Sequence, residues 1–242
     1  MVSKILASTV AFAALLVAVP VSAQTPPNAS SFCTNIDATA SQIQTRMGEV
    51  SAKITEFKAT RNTTRSERWS GQEAKLSAAR GNGDTKRAEG YVKLDAKATT
   101  DAQKAAVATF KNTVEVAVTT RKAAVDAAIA AYRTGVDAAL ATHTAALDSA
   151  DAAFEASVNT ALEQAKNDCA AGVDPATVRT TLTSSIKSAR DTFQAARKEN
   201  TLKGTRESLA ATRKAAVDTA IANFKASVES AKTDLKAAFE VE

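Results

Sequence analysis

The residues whose chemistry is easiest to assign in this chain are its two cysteines, Cys33 and Cys169. His143 is the only histidine, and no His or Cys lies at the spacing of a metal site. The first residues of the chain indicate export. In an exported chain, two cysteines favour a disulfide over a metal site or a catalytic thiol. We therefore predict a Cys33–Cys169 disulfide, with intermolecular disulfides or free thiols as the alternative.

A second group of residues is suited to binding an anion. Its basic side chains and one tryptophan follow a predicted helix, most of them on successive turns, and resemble a docking patch for phosphate or acidic glycan. The predicted polyanion contacts are Arg61, Arg65, Arg68, Trp69, Lys86 and Arg87. The alternative interpretation is an ordinary solvated helix face.

No pattern in the chain indicates catalysis. We find no paired carboxylates in a pocket-forming environment, no glycine-rich phosphate loop after a strand, and no Ser or Cys nucleophile with a base. The prediction is a protein that is not an enzyme, with no catalytic residue, cofactor or metal, and no small-molecule substrate.

Residues 1–23 have the layout of a secretory signal peptide: Lys4, an apolar run, and small residues at Val21-Ser22-Ala23. An uncleaved anchor is the alternative. Residues 24–32 are predicted to be a disordered leader. The mature chain is expected to be exported, to the periplasm, the cell surface or the extracellular space. Without Lys4 it has 30 basic and 26 acidic residues, a net charge of +4.

The elements that must position these residues are long helices. Residues 101–170 contain one glycine and no proline, and their larger apolar residues recur at steps of 4, 4 and 3. This eleven-residue period places them on one nearly straight stripe, in which Arg121 and His143 replace expected apolar residues. An apolar heptad pattern over 36–57 predicts another helix before it.

Turn signals set the predicted helix ends. Thr100-Asp101-Ala102-Gln103 has the form of a capping box, and Gly172 to Pro175 predicts a tight helical hairpin. Gly81-Asn82-Gly83-Asp84 is a predicted break, and Asn200 to Gly204 is expected to weaken the third helix.

The disulfide then sets a register. If Cys33 faces Cys169, neighbours in the first two helices have numbers summing to about 202, and the hairpin at Gly172 sets the second sum near 345. The predicted fold is all-α: an elongated antiparallel three-helix bundle or coiled coil, forming a single domain over 33–242. The predicted helices are 34–97 with a break at 81–84, 101–170 and 175–240.

The chain also contains an internal echo. Residues 121–126 (RKAAVD) recur at 213–218, and 16 of the 36 pairs from 113/205 to 148/240 are identical. The echo indicates either a duplication or two Ala-rich helices whose apolar stripes have converged on the same period.

Two strings carry a resemblance: AKATTDAQKAAVATFK (96–111) and NDCAAGVDPATVR (167–179). They are similar to those of exported, Ala-rich, long-helix proteins of bacteria with a cysteine pair, to which no activity is assigned. The resemblance implies a helical bundle with paired cysteines and implies no activity.

Charge is predicted to be uneven, with the half of the bundle away from the cysteines strongly basic. We therefore expect a non-enzymatic structural or interaction protein that contacts an anionic polymer, a membrane surface or a protein partner. One alternative is a periplasmic holding chaperone of the basic helical type. The other is an amphipathic helical protein that binds lipid surfaces, because such helices also use an eleven-residue period.

Overall fold

A computed structural model of the chain describes residues 29–240, and these residues confirm the all-α prediction, with no strand between 29 and 240. A short helix α1 and a 3-10 turn lead into long helices that pack against one another. In chain order the elements are α1 (Ala29–Phe32), the 3-10 turn (Cys33–Asn35), α2 (Ile36–Lys97), α3 (Asp101–Ala170), α4 (Pro175–Glu199) and α5 (Lys203–Glu240). The predicted signal peptide lies outside the described residues. Residues 29–32 of the predicted disordered leader are helical.

The capping box predicted at Thr100 is present. The Thr100 hydroxyl accepts a hydrogen bond from the Gln103 backbone N–H at 3.2 Å, and the Gln103 side chain accepts from the Thr99 and Thr100 N–H groups at 2.9 and 3.3 Å. Four N–H groups at a helix start have no partner within the helix, so these reciprocal bonds fix the start of α3.

The predicted hairpin between α3 and α4 is also present. Gly172 has φ +77°, a left-handed conformation that favours glycine, and the Val173 N–H donates to the Asp168 carbonyl at 3.0 Å. Asp174 then caps α4 by accepting from the Thr177 N–H at 3.0 Å, and Pro175 is the first helical residue.

The predicted break at 81–84 is wrong, because α2 continues through it as one helix. Each glycine costs a helix only about 1 kcal/mol relative to alanine. Arg80 and Asp84, at either end of the segment, make ion pairs with Asp126 and Lys122 of α3. These tertiary contacts hold the helix across the two glycines.

The single third helix predicted for 175–240 is also wrong, because it is two helices separated at 200–202. Asn200 ends α4: both its backbone N–H and its side-chain Nδ2 donate to the Ala196 carbonyl, at 3.1 and 2.8 Å. An asparagine side chain that competes for backbone carbonyls favours a helix end over a continuing helix.

The predicted antiparallel register is confirmed. Cys33 and Cys169 form a disulfide with their Cα atoms 5.3 Å apart, and their numbers sum to 202. The rings of Phe154 and Phe193 have centroids 5.8 Å apart, which gives 347 for the second pairing against the expected 345.

The contacts divide the described chain into two compact units, and α2 and α3 contribute to both. The first unit comprises 29–67 and 146–200, and the second comprises 68–145 and 201–240. That residues 33–242 form a single domain stays a prediction.

The first unit has an apolar core beside the disulfide. α2, α3 and α4 all contribute large side chains to it, and Leu162, Val158 and Val178 are each only 1% exposed. The buried members are Ile36, Ala40, Val158, Leu162, Ala165, Val178 and Leu182.

The second unit buries smaller residues. Its buried apolar side chains are all Val or Ala: Ala98, Val107, Val114, Ala117, Val118, Ala128, Val136, Ala220 and Ala231. Small side chains remove little apolar area from water, so this unit depends more on polar contacts between its helices.

Candidate anion-binding surface on helix α2

In the second unit, three acidic residues of α2 form ion pairs with α3. Glu73, Asp84 and Asp95 are spaced eleven residues apart, and each meets a basic residue of α3. The pairs are Glu73–Arg133 at 3.3 Å, Asp84–Lys122 at 2.8 Å and Asp95–Lys111. The three carboxylates are thereby neutralised on the flank of α2 that faces α3.

Two basic residues of α2 face α3 as well. Arg80 makes two hydrogen bonds to the Asp126 carboxylate, at 2.7 and 3.0 Å, and Arg87 makes two to Glu115, at 2.6 and 3.2 Å. Such bidentate contacts are among the stronger ion pairs in proteins. The Arg87 hydrogen bonds lower the pKa of Glu115 below its usual value.

Asp84 and Tyr91 extend this network. The pKa of Asp84 is lowered, first by its hydrogen bond from Lys122 and then by that from Arg87, whose Nη2 lies 2.9 Å away. Burial is the largest cause that raises the pKa of Tyr91 to about 12, and the Glu115 carboxylate adds to it. The Tyr91 ring packs edge-on against the Phe110 ring, and their centroids are 6.5 Å apart. This distance lies within the range of roughly 4.5–7 Å that is typical of aromatic pairs.

The structure separates the six predicted polyanion contacts into two groups. Four of them are half-buried: Arg61, Arg65, Trp69 and Arg87. Arg65, Trp69 and Arg87 also have partners within the protein. Burial lowers the pKa of Arg61. The Arg65 guanidinium donates a hydrogen bond to the Asn62 side-chain oxygen at 3.2 Å. The Arg133 guanidinium lies over the Trp69 ring, 5.5 Å from its centroid. The other two, Arg68 and Lys86, are exposed.

Arg68 and Lys86 belong to a larger set that we call the basic stripe. Its members are exposed, and none makes an ion pair with any residue between 29 and 240. The basic stripe consists of Arg68, Lys75, Lys86, Lys93 and Lys97. At 100° per residue the five lie within about 20° of one line, and at 1.5 Å per residue that line is about 44 Å long.

The acidic residues of the same stretch lie elsewhere on the helix. Glu73, Asp84 and Asp95 are about 140° to 180° around α2 from the basic stripe and are paired with α3. Glu89 is the one carboxylate within about 60° of the stripe. The stripe is therefore a nearly uniform line of positive charge.

Helix α5 shows what an ordinary charged face looks like in the same unit. It too carries five exposed lysines: Lys203, Lys214, Lys225, Lys232 and Lys236. Each has an acidic residue three or four positions away, as in the Lys214–Asp218 pair at 2.5 Å and the Lys232–Glu229 pair at 3.3 Å. Charges interspersed in this way cancel at short range.

A signal for the basic stripe was present in the sequence. Lys75, Lys86 and Lys97 are spaced eleven residues apart, the same period as the apolar stripe of α3. Sequence reasoning missed it because the predicted break at 81–84 would have destroyed any alignment of side chains across it.

A groove in the second unit is a separate feature. It lies between α3 and α5, has a volume of about 380 Å³, and includes Ala117, Arg121, Phe224 and Ser227 in its lining. The Arg121 guanidinium stacks on the Phe224 ring 4.0 Å from its centroid, which explains how an arginine occupies an apolar position of the α3 stripe.

The described residues offer no cluster of three or more His, Cys, Asp or Glu side chains arranged to hold a metal ion. Within the same range, every helix is too short or too polar to cross a membrane.

Comparison with known proteins gave no significant match to a family model, a curated protein or a solved structure.

Proposed function

We propose that this chain is an exported, non-enzymatic structural or interaction protein whose second unit contacts an anionic partner through the basic stripe. The observation that carries the proposal is the line of five exposed, unpaired cations on one face of α2. The charge of a cation that has no partner within the protein is not neutralised, so it can attract an anionic ligand. Cations arranged in a line match an extended array of anionic groups better than a single small anion.

The charge of the two units supports the same assignment. The second unit has 19 Lys and Arg against 13 Asp and Glu, a net charge of +6 over residues 68–145 and 201–240. The first unit has 11 against 12, a net charge of −1 over 29–67 and 146–200. The basic stripe thus lies in the unit whose overall field attracts anions.

Export is part of the proposal. It is supported by the signal-peptide pattern of residues 1–23 and by the Cys33–Cys169 pair, since disulfides persist mainly in oxidising compartments. N-terminal sequencing of protein secreted by an expression host tests this part. A mature N-terminus near residue 24 is expected, and retention of Met1 in the cytoplasm would contradict it.

Retention on immobilised heparin at about 50 mM salt tests the anionic partner, because surface charge is screened at higher ionic strength. The wild-type protein is expected to bind. A stripe variant (R68Q/K75Q/K86Q/K93Q/K97Q) should elute at much lower salt than an α5 variant (K203Q/K214Q/K225Q/K232Q/K236Q). Both variants lose five charges, so equal elution would mean that net charge alone causes retention, which contradicts the proposal.

The chaperone and lipid-surface hypotheses stay predictions. A holding chaperone needs apolar surface for its clients, and the large apolar side chains that are exposed in the described chain are Phe57, Val92, Val116, Val173 and Ile221. They are distributed over α2, α3, the hairpin and α5 and do not share one face. The five cations of the basic stripe do share one face, so we favour the anionic partner.

A further inference from the structure

The surface between the cations of the basic stripe is built from small and polar residues. Within about 60° of the stripe, between its ends, α2 presents no apolar side chain larger than alanine and no aromatic ring. The residues there are Gly71, Gln72, Ala79, Asn82, Gly83, Glu89 and Gly90. Trp69 and Tyr91, the nearest aromatic residues, are half-buried and stack with Arg133 and Phe110 instead.

Packing does not require the three glycines in this surface, and the same is true of Gly48 and Gly81 elsewhere on α2. A Cβ built on Gly71, Gly83 or Gly90 would meet nothing within 4 Å, so no neighbouring atom requires a glycine there. None of the three has a positive φ, since Gly172 is the one glycine of the described chain that does. Glycine destabilises a helix interior relative to alanine, so these positions sacrifice stability without a gain in packing.

A ligand that lies along the basic stripe can use the space that these three glycines leave open. Because glycine has no side chain, a polymer can approach the α2 backbone between the cations, which shortens the distances between its anionic groups and the Lys ammonium groups. Coulomb attraction grows as that distance falls.

The composition of this surface also discriminates among anionic partners. Lipid surfaces are bound by helices that insert apolar side chains among the acyl chains, and none is available on this flank. Single-stranded nucleic acids are bound through aromatic side chains on which bases stack, and none is exposed here. A polymer that carries carboxylate or sulfate groups on polar sugar rings needs only cations and a polar surface without bulky side chains.

We infer that the basic stripe binds a linear acidic polysaccharide lying along α2, with Gly71, Gly83 and Gly90 as the floor on which the polymer rests. This inference rests on the proposed anionic partner and specifies its class. It assigns the three glycines a role in binding, which distinguishes it from simple charge attraction.

The experiment uses the full-length, disulfide-bonded protein and labelled heparin at about 50 mM salt. The floor variant G71Q/G83Q/G90Q keeps every charge and replaces glycine with a better helix former, so its Tm should rise by a few degrees. Its affinity for heparin should nevertheless fall by about fivefold or more, because the new side chains hold the polymer away from the cations.

The matched control is G48Q/G81Q. A Cβ at Gly48 or Gly81 also meets nothing within 4 Å, and neither lies on the flank of the basic stripe. This control should gain stability and keep the wild-type affinity. If wild-type protein does not bind heparin or alginate, the proposed function fails; if it binds and the floor variant binds equally well, this inference alone fails.

Two further probes compare the other classes of partner. Single-stranded DNA of similar charge and vesicles of anionic phospholipid are each expected to bind more weakly than heparin, and with no loss in the floor variant. Tighter binding of either probe by the wild-type protein would overturn the assignment to a polysaccharide.

Discussion

The guanidinium of Arg121 lies 4.0 Å from the centroid of the Phe224 ring, and this contact has a counterpart in which the two partners exchange roles. Adding 92 to Arg121 gives Arg213, and subtracting 92 from Phe224 gives Tyr132. Arg213 stacks on Tyr132 at 4.4 Å. The two echo segments therefore pair with each other through equivalent contacts, as copies of one helix-pairing segment would after a duplication.

A double-mutant cycle measures this pairing. Replacing Arg121 with Ala and Phe224 with Leu, singly and together, should give a coupling free energy of about 0.5–2 kcal/mol, the range of cation–π contacts. The cycle that combines Arg121→Ala with Tyr132→Leu should give a value near zero, because no contact joins these two residues in the proposed pairing. Urea unfolding followed by circular dichroism is the measurement, and equal coupling in both cycles would refute the pairing.

The two halves of this pairing differ at one place. Leu209 lies against Gly135, where an added Cβ would come within 2.6 Å of the leucine Cδ2. The equivalent residues in the other half are Ala117 and Ser227, and both line the groove of about 380 Å³. The groove is thus the space that a leucine occupies in the other half.

Filling the groove should therefore stabilise the second unit. The double variant Ala117→Leu/Ser227→Gly copies the Leu209–Gly135 pair and should raise the free energy of unfolding by about 1 kcal/mol, as leucine burial outweighs the helix cost of glycine. Ala117→Leu alone should gain less, because the Ser227 side chain occupies the position that Gly135 leaves free. A double variant less stable than wild type would show that the two halves are not equivalent.

Sequence reasoning identified the parts of the fold that depend on local chemistry. The capping box at Thr100 and the glycine turn at Gly172 are set by residues within a few positions of each other, and the disulfide followed from there being two cysteines. The continuity of α2 across 81–84 could not be obtained in this way. It depends on the Arg80–Asp126 and Asp84–Lys122 pairs, which join residues 46 and 38 positions apart.

The candidate site was predicted only in part, because contacts between residues far apart in the sequence decide which basic residues are available. Arg68 and Lys86 were identified, but Arg87 pairs with Glu115 and Arg61 is half-buried, which residue type alone does not reveal. The third helix was expected only to weaken at Asn200, since the hydrogen bond that the Asn200 side chain donates to the Ala196 carbonyl depends on the folded backbone.

Removing the disulfide should destabilise the protein. The bond closes a loop with a sequence separation of 136, for which the chain-entropy model gives about 5 kcal/mol. The Cys33→Ala/Cys169→Ala variant should lose that much free energy of unfolding in urea. A loss below about 1 kcal/mol would show that residues 33 and 169 are close in the unfolded ensemble as well.

Acid should weaken the contact between α2 and α3 in the second unit. The folded pKa values of Asp84 and Glu115 are lowered by their hydrogen bonds from Lys122 and Arg87, respectively. Their stabilisation is therefore fully present above the unfolded pKa, near 4, and is lost as the pH falls through the lowered folded values.

The variant Glu115→Gln isolates one of these groups. It should be less stable than wild type at pH 7, and the difference should shrink as the pH falls from about 5 to 2, because wild type loses the same ion pair on protonation. Urea unfolding at a series of pH values is the measurement, with Glu207→Gln, an exposed position on α5, as the control. A difference between Glu115→Gln and wild type that does not change with pH would contradict the assignment.

The salt dependence of heparin affinity tests the central claim most directly. Each cation that pairs with a polyanion releases counterions, so the slope of log affinity against log salt reflects the number of contacts, about 0.7–0.9 per contact for nucleic acids. The stripe variant R68Q/K75Q/K86Q/K93Q/K97Q should lose most of the wild-type slope and at least about tenfold in affinity at 50 mM salt. The α5 variant K203Q/K214Q/K225Q/K232Q/K236Q should keep most of both, and equal losses in the two variants would contradict a binding site on α2.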